Sequence, residues 1–200
     1  LEDTLRMARE SAEGQAMELG WRSDNVIDLE DEDYLLMVLK KTSWLATIFP
    51  MRIGAMIGSR GAADLTPFLR FGFFLGAAFQ IQDDLLNLIA DERYGKERDG
   101  DIWEGKRTLM LLHLYRCVSS CEKKRILEML DTPRSNRSAT EVQWVRQSMD
   151  AHDSIAYAQG IAHGIAGAAK TEFSHIFKGV PASRDKRFLE GVITWVFERN

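Results

Sequence analysis

Apolar residues return every three or four positions along most of the chain, the spacing of one helix face. Alternating runs of β-branched residues, which a half-buried strand requires, are absent. The periodicity predicts helices over about residues 1–20, 31–57, 66–90, 107–130, 139–170 and 185–199. Pro50 predicts a kink in the second of these. "DLEDEDYLLMVLKK" opens with acidic residues and ends with lysines, which suits the helix dipole. In "DLTPFLRF", Thr66 serves as N-cap and Pro67 as the first helical residue. "DERYGKERDGDIWEGK" (91–106) and "DTPRSNRS" (131–138) read as loops, and no repeat or low-complexity tract appears. The expected fold class is all-α, without a parallel sheet.

The 66–90 helix departs from ordinary amphipathicity. At about 100° per residue, with Asp83 at zero, Asn87 falls near 40°, Gln80 near 60° and Asp84 near 100°. Gly76 and Phe73 share that arc. Nearly everything else is Leu, Ile, Phe or Ala, with Gln82 the chief exception. A helix apolar nearly all round is buried, so a narrow Gln-Asp-Asp-Asn stripe predicts a polar cavity, with the small Gly76 leaving room beside it. Two ionised carboxylates in such a setting cost several kcal/mol unless cations answer them.

Composition narrows the setting. Of 200 residues, 45% are hydrophobic and 28% charged, a globular balance. Twenty-six Lys+Arg against 30 Asp+Glu give a net charge of −4, which gives no reason to expect nucleic acid as a partner. Cys117 and Cys121 read as reduced thiols of a cytoplasmic protein, and the four histidines form no metal-binding pair. Arg70 and the Asp pair interrupt the most apolar stretch, which argues against a transmembrane segment, and no signal peptide is visible. "LEDTLRMARE" starts in helical register without Met, so residues 1–200 are expected to be the C-terminal part of a single larger domain.

Lysines follow the acidic stripe. "GKERDGDIWEGKR" (95–107) places Lys96 and Lys106 on a glycine-punctuated segment. Carboxylates, ammonium groups and glycines together suit a metal–phosphate site. Mg²⁺ binds through one or two carboxylates plus substrate phosphates, and lysines neutralise the remaining charge. "LKKTSW" (39–44) adds Lys41 and Thr42 late in a helix.

In this order, Lys41-Thr42, "FQIQDDLLN" (79–87) and "GKERDGDIWEGK" (95–106) resemble the trans-isoprenyl diphosphate synthase (polyprenyl synthetase) family. "GQAMELGWRSDN" (14–25), "SIAYAQGIAHGIAGAA" (154–169) and "VITWVFERN" extend the resemblance over the whole chain, and Asn87 in place of a last Asp is closest to the geranylgeranyl diphosphate synthase branch. The resemblance implies an isoprenoid-synthase-type helical bundle around a central cavity, here without its N-terminal helices. It implies a Mg²⁺-dependent, homodimeric prenyltransferase that joins an allylic diphosphate to isopentenyl diphosphate. Carried over by position, Asp83, Asp84 and Asn87 are the metal group. Lys41, Lys96, Lys106 and Gln80 hold the substrate diphosphate, and Lys41, Thr42 and Gln80 stand beside the reacting carbon as the catalytic set.

Two departures stand out. The family's first Asp-rich motif, DDxxD, and the Arg pair after it are absent from these residues, and "LEDEDY" (29–34) does not match them. Trp44 stands where the family has a small residue and is read as core packing. The missing motif implies an inactive fragment on its own. It also keeps open a non-catalytic regulatory or partner subunit of such a synthase. A class I terpene cyclase shares the chemistry, but its N-D-x-x-S-x-x-x-E triad is not here.

Overall fold

In a computed structural model, residues 1–89 and 98–198 are described. Among them the chain is helical, with no strand. The helices are α1 (Glu2–Ser23), α2 (Asp31–Val38), α3 (Phe49–Gly58), α4 (Pro67–Ile89), α5 (Gly100–Glu104), α6 (Leu109–Cys117), α7 (Ser120–Asp131), α8 (Ala139–Ala151), α9 (Ser154–Ile176) and α10 (Arg184–Glu198). A π-helical segment, Leu39–Ile48, joins α2 to α3, and a 3₁₀ turn, Arg134–Asn136, precedes α8. No described helix is long and apolar enough to cross a membrane.

The centre of the bundle is α4, packed against α9 on one side and the π segment on the other. Its predicted start holds, with Pro67 the first helical residue. Ile81, Leu85 and Leu88 join Tyr34, Val38, Leu109–Leu112, Val145 and Ala158 in one core. Phe71 and Leu75 pack with Phe173, Ile193 and Val196 in a second.

Three predicted helices are broken, each for a local reason. Residues 31–57 carry a π segment ahead of Pro50 rather than a simple proline kink, and the Phe49 N–H reaches back to the Trp44 carbonyl. Residues 107–130 split because Ser119 caps α7 in a reciprocal box with Glu122. Residues 139–170 split at Asp153, which takes φ +56°. The 91–106 loop contains the short helix α5.

Glycines let three segments approach. A Cβ at Gly14 of α1 would lie 2.3 Å from the Lys41 backbone nitrogen. Cβ atoms at Gly72 and Gly76 of α4 would lie 2.8 Å from the Cα atoms of Ile48 and Ser43. The space beside Gly76 is therefore filled by the Ser43 backbone and is not an open part of a polar cavity. Trp44 is 2% exposed, with the Arg6 guanidinium 4.6 Å over its ring, so it packs as expected.

Candidate active site

At the C-terminal half of α4 the stripe meets α1, α2, the π segment and the residues after α5. Glu18, Tyr34, Met37, Lys41, Gln80, Asp84, Lys106, Arg107 and Thr108 line one small cavity. Lys41 and Lys106, 65 positions apart in sequence, thus face the same space. Each meets a carboxylate there. Lys41 Nζ donates to Glu18 Oε2 at 2.5 Å, and Lys106 Nζ to Asp101 Oδ1 at 2.5 Å.

Between them runs a chain of hydrogen bonds. The Thr42 hydroxyl donates to Gln80 Oε1 at 2.8 Å, and Gln80 Nε2 donates to Asp84 Oδ1 at 2.8 Å. The buried Tyr34 hydroxyl donates to Asp84 Oδ2 at 2.8 Å. Both Asp84 oxygens are thereby engaged. Burial, then the charge of Asp101, push the Asp84 carboxyl up to about 7, against the pull of these two donors. Burial also raises Asp101, opposed by Lys106. For Lys106 burial works downward, and Asp101, Asp84 and Glu104 outweigh it, so its pKa rises.

The two aspartates of the stripe therefore differ. Asp83 is half-buried. Asp84 is 4% exposed and turned inward. Asp84 anchors the Tyr34–Gln80–Thr42 chain of hydrogen bonds. Asn87 braces the neighbouring segment. Its Oδ1 accepts the Asp101 backbone N–H at 2.9 Å, and its carbonyl accepts that of Asp99 at 3.1 Å. It fixes the segment after α4. Lys96 lies outside the described residues.

Several residues of the site were not picked out from sequence, Glu18, Tyr34 and Asp101 among them. Glu18 and Tyr34 lie on other helices, where spacing does not point to them. Asp101 had a visible signal: a carboxylate flanked by glycine within the same lysine loop. Among the described residues no three His, Cys, Asp or Glu side chains are grouped to cage a metal. Mg²⁺ does not require a cage, because it keeps waters and completes its shell with substrate phosphates. Asp83, whose charge is felt at Asp101, fits that mode.

The family model for polyprenyl synthetases matches residues 2–149. The chain belongs to the polyprenyl synthetase family. It is 37% identical over 131 residues to the geranylgeranyl diphosphate synthase of Sulfolobus acidocaldarius, covering 65% of this chain and 38% of that one. The crystal structure of geranylgeranyl pyrophosphate synthetase from Pyrococcus horikoshii superposes with a TM-score of 0.81 at 27% identity, over 100% of this chain and 58% of that one. The polyprenyl synthase of Caulobacter crescentus, solved with calcium and isoprenyl diphosphate, gives 0.82 at 25% identity, over 99% and 58%. The chain thus spans between 38% and 58% of the length of these polyprenyl synthetases. The match to the family model runs from α1 through most of α8 and so includes every residue that lines the cavity.

Proposed function

We propose that this chain supplies the second-aspartate half of a Mg²⁺-dependent prenyltransferase site. The reaction condenses an allylic diphosphate with isopentenyl diphosphate into a longer linear trans-prenyl diphosphate, with geranylgeranyl diphosphate favoured. The observation that carries the reading is the meeting of Lys41 and Lys106 in one cavity with Gln80 and Asp84. Two ammonium groups, each matched by a carboxylate, form a site that a diphosphate can enter by taking over both cations. The metal position belongs to Asp83, with Asp101 near it. Mg²⁺, when bound there, supplies positive charge against the departing diphosphate.

The remaining roles fall to the chain's own groups. The allylic C–O bond breaks, and its electron pair leaves with the diphosphate onto Lys41 and Lys106. The isopentenyl double bond attacks the allylic carbon, and a proton beside the resulting cation passes to the released diphosphate, which restores a double bond. Thr42 gives its hydrogen to Gln80, which leaves the hydroxyl oxygen's lone pairs to face the cationic carbon. Gln80 is held by Thr42 and Asp84 together, so these dipoles are fixed before substrate arrives.

The test is a synthase assay on the protein at its natural length, with geranyl diphosphate, isopentenyl diphosphate and Mg²⁺. Linear prenyl diphosphate is the expected product, and Asp83→Ala is expected to lower turnover by roughly a hundredfold or more, as loss of a metal-held charge implies. Absence of prenyl product from the wild type refutes enzyme activity and favours the partner-subunit reading. Cyclic hydrocarbons favour a cyclase.

A further inference from the structure

A five-residue helix is not stable alone, because helix nucleation costs more than so few hydrogen bonds return. Yet α5 holds Asp101 against Lys106, so its geometry is imposed from outside. One end is fixed by Asn87, which binds the Asp99 and Asp101 N–H groups. The other end is fixed by Arg137, a residue 30 positions beyond the lysine loop in a stretch that reads as solvated.

The Arg137 guanidinium spends its donors on backbone carbonyls. Nη1 donates to Ile102 and Trp103 at 3.2 and 2.5 Å, which are the C-terminal carbonyls of α5. Nη2 donates to Leu130 at 2.7 Å, and Nε to Thr132 and Met129 at 2.9 and 3.2 Å, at the C-terminal end of α7. One planar fork therefore ties two helix ends that would otherwise leave carbonyls unpaired. Gly105 makes room for it. It takes φ +67°, and a Cβ there would stand 2.9 Å from both Nη atoms. Lys106 is the next residue, and its backbone N–H returns to the Asp101 carbonyl at 2.9 Å. Neighbouring Arg134 adds an ion pair to Glu104 at 3.3 Å.

We propose that Arg137 is a positioning residue for diphosphate binding: by anchoring the end of α5 to α7, it sets where Lys106 presents its ammonium group. This rests on the diphosphate-site reading above. Arg137 touches no substrate, and its effect passes through α5 and Gly105 to Lys106.

The experiment measures binding of inorganic diphosphate with Mg²⁺ by calorimetry on the full chain, beside thermal unfolding. The variants are Arg137→Lys, Gly105→Ala, Lys106→Met and the double variant Arg137→Lys/Lys106→Met, with Asp83→Ala as control. Arg137→Lys keeps the charge but loses the fork. It is expected to weaken binding about tenfold, the lower range for residues that orient ligand-holding groups. Gly105→Ala disturbs the same contact from the other side and is expected to do likewise. On the Lys106→Met background, Arg137→Lys is expected to cost less than about twofold in affinity, while lowering the melting temperature as much as it does alone. Equal fold-losses in both backgrounds, or wild-type affinity in Arg137→Lys, overturn the positioning role. If the wild type does not bind Mg²⁺–diphosphate, or Asp83→Ala binds as well as wild type, the site reading itself falls and this inference falls with it.

Discussion

Substituting Gly76 by alanine tests the packing that carries Thr42 to Gln80. The added Cβ meets Ser43 Oγ at 2.5 Å and the Ser43 Cα and Cβ at 2.8 Å, well inside van der Waals contact. A flexible side-chain end can move aside, but the Ser43 Cα belongs to the π segment, so α4 and that segment must separate. Overpacking of this kind costs about 1–3 kcal/mol. Because the obstacle is backbone, the cost sits at the upper end, offset by about 1 kcal/mol from alanine's better helix propensity. The net loss is about 2 kcal/mol, a fall of roughly 4–8 °C in melting temperature for a chain of this size. Gly164 in α9 is the control, since a Cβ there meets nothing within 4 Å and alanine is expected to stabilise by about 0.5–1 kcal/mol. Thermal and urea unfolding followed by circular dichroism measure both. If Gly76→Ala melts at or above the wild type while Gly164→Ala behaves as described, the close approach of α4 to the π segment is wrong.

Other expectations follow from the same core. Ser43 is wholly buried and its hydroxyl has no hydrogen-bond partner among the described residues, so Ser43→Ala is expected to stabilise the fold by about 1 kcal/mol in urea unfolding. Asp84 is raised from 3.8 to about 7 in the folded state, so the fold prefers its protonated form. Its favourable contribution is complete below about pH 4 and is lost as pH rises to 7, at most about 4 kcal/mol. Asp84→Asn, measured without Mg²⁺, is therefore expected to flatten stability between pH 4 and 7 and to exceed the wild type at pH 8. An unchanged pH profile would count against the buried, proton-holding Asp84.

Much of the site was legible in sequence because it is local. The polar stripe of α4 follows from 3.6-residue periodicity, and the Lys41-Thr42 pair and the lysine loop are short patterns. What was not legible depends on partners brought together by folding. Asp83 and Asp84 are adjacent in sequence and look alike, and sequence does not reveal the Tyr34 hydroxyl, 50 positions away, that with Gln80 makes Asp84 a buried anchor. Nothing in Asn87's own stretch reveals the Asp101 N–H that it accepts. Gly76 looked like empty room, since sequence shows a missing side chain but not the backbone that fills the space. The break at Ser119 was different. Its Ser-x-x-Glu pattern is plain, but the apolar periodicity carries across it and hides the stop.

The π segment also sets the phase of everything before it. Its wide turns let consecutive residues serve opposite neighbours: Lys41 points to Glu18 of α1 and Thr42 to Gln80 of α4. Loss of one residue between 39 and 48 would tighten those turns and draw α2 toward α3 by about 1.5 Å along the axis. The 2.8 Å contact of Tyr34 with Asp84 would be strained, while the contacts at Gly14, Gly72 and Gly76 grip the segment at fixed points. This stretch therefore tolerates changes of side chain far better than changes of length, and insertions or deletions here disconnect one wall of the site from the other.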